Sequence, residues 1–184
     1  MWWVQLLNSI VGFLGTGVTP TASSFESIAT ITTGTGNFSF TSIPSTYKHL
    51  QLRINFLTTN TGSNLGIRFN NDSTSIYAYH RLSGDQTTAN ASGFASDSYI
   101  SLFADKGFVG TYPNVAIIDI IDYASTTKNK TLRSFAGNDN NSTGGEVYLE
   151  SGLWASTAAI NRIDSVFMSG NSSVTYSLYG IKGA

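Results

Sequence analysis

The pattern of hydrophobic and polar positions divides the chain into two unlike parts. Residues 1–14, MWWVQLLNSIVGFL, are uncharged and mostly apolar. On a helix they would form an apolar stripe facing away from polar positions, and the stripe holds Trp3, Leu6, Leu7, Ile10, Val11 and Leu14. A connector follows over residues 15–24, where Pro20 prevents a continuous helix. The pattern predicts an N-terminal arm and linker over residues 1–23 and a separate domain over residues 24–184.

The second part alternates between short runs rich in β-branched and aromatic residues and clusters of turn-forming residues. The runs predict strands at 27–33, 37–41, 50–58, 65–69, 76–82, 98–103, 115–123, 130–136, 146–150, 162–168 and 174–179. Gly, Asn and Asp between them tolerate positive φ or bond their own backbone. One helical turn is allowed near residues 157–161. We therefore predict an all-β domain, an antiparallel β-sandwich with the jelly roll as the favoured arrangement.

Two runs predict how their strands are buried. In the run 50–57, Leu50, Leu52, Ile54 and Phe56 alternate with a more polar set, which predicts one core-facing side. Residues 115–121 are almost continuously apolar, which is typical of a central strand covered on both faces or buried between subunits. The second run makes the formation of a homo-oligomer an expectation.

Composition narrows the classes of function. Charged residues make up 11% of the 184 residues, against about 25% in an average soluble protein, so Ser, Thr, Asn and Gly must cover the surface. The net charge is −1 and the 10 Lys and Arg residues are scattered, which predicts no binding of nucleic acid. The absence of cysteine excludes disulfides, thiolate nucleophiles and Cys-based zinc sites. This composition is typical of extracellular or virion β-structures.

The hydrophobic arm has several interpretations. A signal peptide needs a basic start, yet no Lys or Arg precedes Lys48, and a membrane span needs about 20 apolar residues where this run ends after about 14. A helix lying on a membrane surface usually carries a basic face, which is missing. Packing on its own domain remains an alternative. We favour docking into a partner protein or bundling with copies of itself, through Trp2, Trp3, Leu6, Leu7, Ile10 and Phe13.

The sequence contains no convincing catalytic or metal-binding constellation. His49 and His80 lie on different predicted strands without metal-ligand spacing, so each is expected to be a structural hydrogen-bonding residue. Glu146 and Glu150 share one face of a strand, but their backbones are about 13 Å apart, too far for a ready acid and nucleophile pair. The loop at 137–145, after the eighth run, offers only the carboxylate of Asp139 to a cation. We predict no catalytic residues, no metal and no cofactor.

Five segments of the domain resemble segments of known proteins. They are SFESIAT at 24–30, IPSTYKHLQLR at 43–53, YHRLSGD at 79–85, SGLW at 151–154 and YSLYGIKG at 176–183. Together they resemble a group of β-rich virion proteins of tailed bacteriophages, notably phages of cyanobacteria and other aquatic bacteria. The resemblance covers most of the chain after residue 24 and is weakest in the arm. It implies a virion component and brings no catalytic residues with it.

Two functional hypotheses follow. The first is a non-enzymatic phage structural protein, a capsid decoration or cement protein or a short fibre, which attaches to other virion proteins through its arm. It would assemble in the host cytoplasm as a homo-oligomer, with a trimer expected. The alternative is a tail or head fibre module that recognises host surface polysaccharide. Its candidate glycan-binding residues are Tyr77, Tyr79, His80, Tyr99, Tyr112 and Trp154.

A third hypothesis is enzymatic hydrolysis of that polysaccharide, which would depend on a carboxylate.

One cluster of side chains could bind a sugar or orient a partner. Tyr79, His80 and Arg81, followed by Asp85, gather an aromatic ring, an imidazole, a guanidinium and a carboxylate near the end of a strand. The favoured interpretation of the same residues is a strand that runs into a Ser-Gly-Asp turn.

Overall fold

The computed structural model describes residues 23–58, 65–103, 112–139, 144–166 and 172–183. Within these ranges the chain forms strands, turns and extended loops, and no helix. The predicted arm lies outside the described residues, and so do its proposed partner-binding side chains, Trp2, Trp3, Leu6, Leu7, Ile10 and Phe13.

Twelve strands account for most of the described chain. They are β1 (Phe25–Thr33), β2 (Ser39–Phe40), β3 (His49–Thr58), β4 (Leu65–Phe69), β5 (Tyr77–Gly84), β6 (Ala89–Asp97), β7 (Ile100–Phe103), β8 (Asn114–Ile121), β9 (Lys130–Asp139), β10 (Gly145–Trp154), β11 (Ile163–Val166) and β12 (Ser172–Ile181). The run predicted at 65–69 has the observed bounds of β4, and the other ten runs each overlap a strand.

The strands form two antiparallel sheets. The large sheet has the order β1-β12-β3-β8-β9-β10-β5-β6 and the small sheet the order β2-β11-β4-β7. Every pair of neighbours is antiparallel, and the chain passes repeatedly from one sheet to the other, for instance from β3 to β4 and back to β5. The predicted antiparallel β-sandwich of the jelly-roll kind is therefore confirmed.

The core lies between the two sheets, where period-two alternation places the apolar side chains. On β3, Leu50, Leu52, Ile54 and Phe56 are all buried, as their alternation predicts. They belong to the same buried cluster as Phe69 and other residues of the small sheet. The inner faces of both sheets thus share one hydrophobic core.

The two sheets approach most closely where β10 crosses β7. A Cβ built on Gly152 would lie 2.8 Å from Ile100 Cγ2 on β7 and 3.1 Å from Leu132 Cγ on β9. Real Cβ atoms do not tolerate the shorter distance, so a glycine is needed here for the sheets to pack at this spacing.

Three features differ from the sequence-based expectation. Strand β6 was not predicted, because Ala89–Asp97 lacks apolar alternation and almost all of its residues are exposed. The helical turn allowed at 157–161 is absent, because the backbone there bends at residue 158 and donates hydrogen bonds to distant residues. Ile160 N donates to Tyr123 O and Asn161 N donates to Asn70 Oδ1. The third feature, the outer face of β8, is the basis of the candidate site.

Candidate functional site

Strand β8 is central in the large sheet, as predicted, but the described residues cover only one of its faces. Ala116, Ile118 and Ile120 point into the core. Val115 and Ile117 point outward and are about half exposed. The near-continuous apolar run therefore describes a strand with two apolar faces, of which the sandwich buries one.

Neighbouring strands extend the apolar outer face of β8 across the sheet. Ile117 on β8 pairs with Phe135 on β9, which pairs with Leu149 on β10, which pairs with Leu82 on β5. In the next row, Val115 and Val147 flank Gly137. We call these six side chains the apolar patch: Leu82, Val115, Ile117, Phe135, Val147 and Leu149. Their exposed fractions run from 44% to 61%.

The apolar patch is large for a surface that faces only water. Its six side chains expose on the order of 500 Å², at the upper end of the roughly 300–600 Å² found for the largest patch on a typical monomer. Large contiguous patches of this kind mark sites of interaction.

A polar row borders the apolar patch along one side. Asp119 on β8 accepts hydrogen bonds from Gln51 Nε2 at 2.8 Å and from Arg133 Nε at 3.1 Å. Ser151 and His80 continue the row across β10 and β5, next to Arg133. We call these five residues the polar rim. The arrangement of an apolar centre beside a hydrogen-bonded rim is that of a protein–protein interface.

The patch is not flat, because glycines interrupt its second row. A hollow of about 240 Å³ lies over Gly137 and is lined by apolar side chains of the three neighbouring strands β8, β9 and β10. Gly84 leaves a second gap beside Val147, since a Cβ built there would meet nothing closer than 3.9 Å. The patch therefore carries both projecting valines and hollows in a single row.

On the inner side of the large sheet, a charged pair is buried in the sandwich. Glu150 on β10 accepts a hydrogen bond from Arg81 Nε on β5 at 2.5 Å and one from Ser134 Oγ at 2.8 Å. The Arg81 guanidinium also donates to Ser101 on β7 and lies beside the ring of Tyr148. The pair thus joins the two sheets through hydrogen bonds.

Burial and charge act in opposite directions on this carboxylate. Burial raises the pKa of Glu150 to about 7, while the charge of Arg81 and the hydrogen bond from Ser134 act to lower it. A pKa in this range suits an acid or base catalyst. The side chain of Glu150 is completely covered, however, so a substrate cannot reach it in this conformation.

The second glutamate of β10 is also hydrogen-bonded to a side chain of the domain. Glu146 lies on the same face as Glu150, as predicted, and accepts a hydrogen bond from the Tyr148 hydroxyl. Both carboxylates are buried and bonded to side chains of the chain itself. Their arrangement is that of structural groups rather than of an open acid and nucleophile pair.

Three of the aromatic residues predicted to bind glycan lie in the core. Tyr77 and Trp154 stack on each other with ring centroids 6.2 Å apart, and Tyr79 is also buried. Tyr77 Oη accepts a hydrogen bond from Phe69 N, and Trp154 Nε1 donates one to Asp72 Oδ2 at 3.0 Å. These three rings are therefore not on exposed loops, because the sandwich uses them as core, and they cannot stack on a sugar.

The other glycan-binding candidates remain accessible in part. His80 is exposed on the outer face of β5, Tyr112 is 37% exposed, and Tyr99 is half-buried. The ring of Tyr99 covers Gly66, since a Cβ at that glycine would overlap it. A role of these residues in glycan binding stays a prediction.

The side chains of the predicted cluster of Tyr79, His80, Arg81 and Asp85 do not lie together, because strand alternation places them on opposite faces of β5 or in the turn that follows it. His80 points to the outer face of β5 and Arg81 to the inner face, as alternation requires. Asp85 closes the turn to β6, where its Oδ1 accepts hydrogen bonds from Thr87 N and Thr88 N. The favoured interpretation, a strand that runs into a turn, is confirmed for Asp85.

His49 has the structural role predicted for it. Its Nδ1 accepts a hydrogen bond from Asp122 N at 3.0 Å. Hydrogen bonds and charge from Lys128 and Lys48 lower the pKa of Asp122 to about 2. These groups hold the turn between β8 and β9.

Two other kinds of site are absent from the described ranges. No group of three or more His, Cys, Asp or Glu side chains there could hold a metal ion. The same residues form no helix of the length and apolarity that a membrane crossing requires.

Comparisons with known proteins identify similar folds at low identity. No protein-family model and no curated protein sequence matches the chain. Among solved structures, the galectin LEC-6 of Caenorhabditis elegans is 9% identical, with 82% of this chain and 95% of that chain covered and a TM-score of 0.40. Alginate lyase Aly36B is 10% identical, with 79% and 71% covered and a TM-score of 0.35.

A PL-14 alginate lyase from Aplysia kurodai is 8% identical, with 76% of this chain and 70% of that chain covered and a TM-score of 0.28. With identities and TM-scores this low, these likenesses carry no argument about what the chain binds or does. Any function of the apolar patch and of the buried charged pair must therefore follow from the geometry of this chain.

The sequence contained a signal for only part of the candidate site. The apolar run of β8 is visible in the sequence, and it led to the expectation of a strand covered on both faces or buried between subunits. Phe135, Val147, Leu149 and Leu82 lie on three other strands, and only the pairing of β8, β9, β10 and β5 brings them together.

Proposed function

We propose that the chain is a non-enzymatic structural protein of a phage virion, working through protein–protein contact. The observation that carries the proposal is the apolar patch with its polar rim, an interface-like surface on a body whose described interior is filled by its own side chains. The sequence resemblance to virion proteins of tailed phages supports the location, and the polar, weakly charged surface suits a protein exposed outside the cell.

In this function the large sheet presents its outer face to another virion subunit, and the N-terminal arm provides a second attachment. Two weak attachments on one chain act together, because the second binds at a high effective concentration once the first has formed. The chain would serve as a capsid decoration protein or as part of a short fibre. The buried Arg81–Glu150 pair serves the sandwich and takes part in no reaction.

The test is incorporation into virions of the phage that encodes the chain. We expect purified particles to contain it, and we expect Phe135→Lys, in the centre of the patch, to lower the amount per particle at least tenfold. Phe94→Lys is the matched control, because Phe94 is 63% exposed against 61% for Phe135 but stacks on Tyr79 at the other face of the sheet.

Absence of the chain from wild-type particles would overturn the proposal. Binding of host polysaccharide by the purified chain, together with normal incorporation of Phe135→Lys, would favour the receptor-binding alternative. Loss of polysaccharide with time, abolished by Glu150→Gln, would show an enzyme instead.

A further inference from the structure

The arrangement of the apolar patch points to its occupant, and we propose that the occupant is the same patch on a second copy of this chain. The inference rests on the proposed function, in which the patch is an interface, and goes further by naming the partner. In place of the trimer expected from the sequence, it predicts a two-fold symmetric pair in which two large sheets pack face to face.

The size of the surface suits such a pair. Stable interfaces bury about 800 Å² on each partner, with an apolar centre and a polar rim. The patch supplies on the order of 500 Å² of exposed apolar side chain, and the polar rim extends the contact on one side. Sheets packed face to face lie about 10 Å apart with strands crossing at about 30°. A two-fold axis between the sheets, about 15° from the strand direction, satisfies this geometry.

The sequence of side chains across the patch is complementary to itself. The relevant strand order is β8-β9-β10-β5. An axis between β9 and β10 places β8 opposite β5 of the second copy and β9 opposite β10. In the first row, Phe135 then faces Leu149 and Ile117 faces Leu82 of the other chain.

The second row fits in a more specific way, because each valine meets a glycine. Val147 of one copy faces the hollow over Gly137 of the other, and Val115 faces the gap at Gly84. Projections therefore enter hollows at four places in the pair, two from each copy. This alternation of valine and glycine along one row is what a self-complementary surface requires.

Charge does not oppose the pairing. The apolar patch contains no ionisable side chain. At its border Asp119 and Arg133 form an ion pair at 3.1 Å, and Arg53, which pairs with Ile117 from β3, donates a hydrogen bond to Gln51 Oε1. The net charge of the whole chain is only −1. Two copies can approach on this face without repulsion between like charges.

The first experiment measures the mass of the purified full-length chain by analytical ultracentrifugation over a range of concentrations. We expect a dimer, or an even-numbered assembly of dimers, and we expect Phe135→Lys to raise the dissociation constant at least about 30-fold, as for the loss of an interface hot spot. Phe94→Lys should leave the dissociation constant unchanged. Circular dichroism of both variants verifies that the fold is retained.

The second experiment uses the absence of cysteine to test the position of the axis. Ser151 lies beside the patch on β10. In the proposed pair it is roughly 11 Å from Ser151 of the second copy, given the spacing of strands and sheets. Ser151→Cys should therefore be joined efficiently by a short bismaleimide. Thr30→Cys on β1 should not be joined, because it lies roughly 40 Å from residue 30 of the second copy.

A monomer, a trimer, or an oligomer unaffected by Phe135→Lys would overturn the pairing, as would equal cross-linking of the two cysteine variants. These outcomes are distinct from failure of the proposed function. A chain that is monomeric in solution but present in virions would refute only the self-pairing, whereas a chain absent from virions refutes the structural role itself.

Discussion

At the scale of single residues, the most consequential contact joins Arg81 and Glu150. Both side chains are almost completely covered, at 8% and 0% exposed, and they are held by Ser134 and Ser101 on either side. A buried pair of this kind stabilises little relative to apolar residues of the same shape, but it is costly to break. Removal of one partner leaves an uncompensated charge in the interior.

We expect Arg81→Met to lower the free energy of unfolding by about 3–5 kcal/mol at pH 8, where Glu150 without its partner must be buried charged or take up a proton. The double variant Arg81→Met/Glu150→Met should recover most of this loss. Urea denaturation monitored by fluorescence measures both.

The control is Arg133→Met, which removes an arginine from an ion pair of similar chemistry with Asp119 on the surface. The Arg133 side chain is largely exposed, so its loss should cost less than about 1 kcal/mol. Equal effects of the two single variants would contradict the importance assigned to burial.

At the scale of the elements, the spacing of the two sheets depends on one glycine. Gly152 allows β10 to pass over Ile100 of β7, and an added methyl group would lie 2.8 Å from that side chain. The neighbouring strands are held in register on both sides of β10, so the clash cannot be relieved by a shift of the strand alone.

We expect Gly152→Ala to destabilise the sandwich by about 1–3 kcal/mol, the usual cost of overpacking a core. Gly34→Ala, in the loop after β1, is the control, because a Cβ built there would meet no atom within 4 Å and the residue lies outside the apolar patch. Thermal unfolding of the two variants side by side gives the comparison. A Gly152→Ala protein as stable as Gly34→Ala would show that the sheets are not in close contact here.

Elements could be predicted from the sequence where they carried apolar alternation. Strand β3 is an example, since its four buried residues follow a period of two. Strand β6 shows the limit. It is held only by hydrogen bonds to β5 at the edge of the sheet, and its exposed residues follow no apolar pattern. A strand that is held in place only by hydrogen bonds to its partner need not show hydrophobic alternation in its own sequence.

At the scale of the whole molecule, the described residues form a sandwich with its own core, a single buried cluster whose members include Phe38 and Leu178. The hydrophobic arm was predicted to serve attachment and not the folding of the body. The two interpretations of the arm, docking to a partner and packing on its own domain, differ in what its removal does to stability.

We expect deletion of residues 1–20 to leave a soluble, cooperatively folding body whose free energy of unfolding changes by less than about 1 kcal/mol, because an element outside the core adds little to it. The same variant should no longer join virions. Denaturation and particle incorporation are the two measurements. A large loss of stability would indicate that the arm is a terminal element of the domain.

The sequence by itself determined the fold class, the inward and outward residues of β3, and the polar, weakly charged surface. These properties depend on local periodicity and composition, which every segment carries on its own. The tertiary structure decided what depends on strand order. It paired Arg81 with Glu150, placed Tyr77 and Trp154 in the core, and left one apolar face of β8 uncovered.

The physical reason is that antiparallel strands distant in sequence become neighbours only through the topology of the sheet. The runs around Ile117, Phe135, Leu149 and Leu82 each carry an apolar outward position, but nothing in any one run indicates that they share a row. The apolar patch is therefore a property of the assembled sheet.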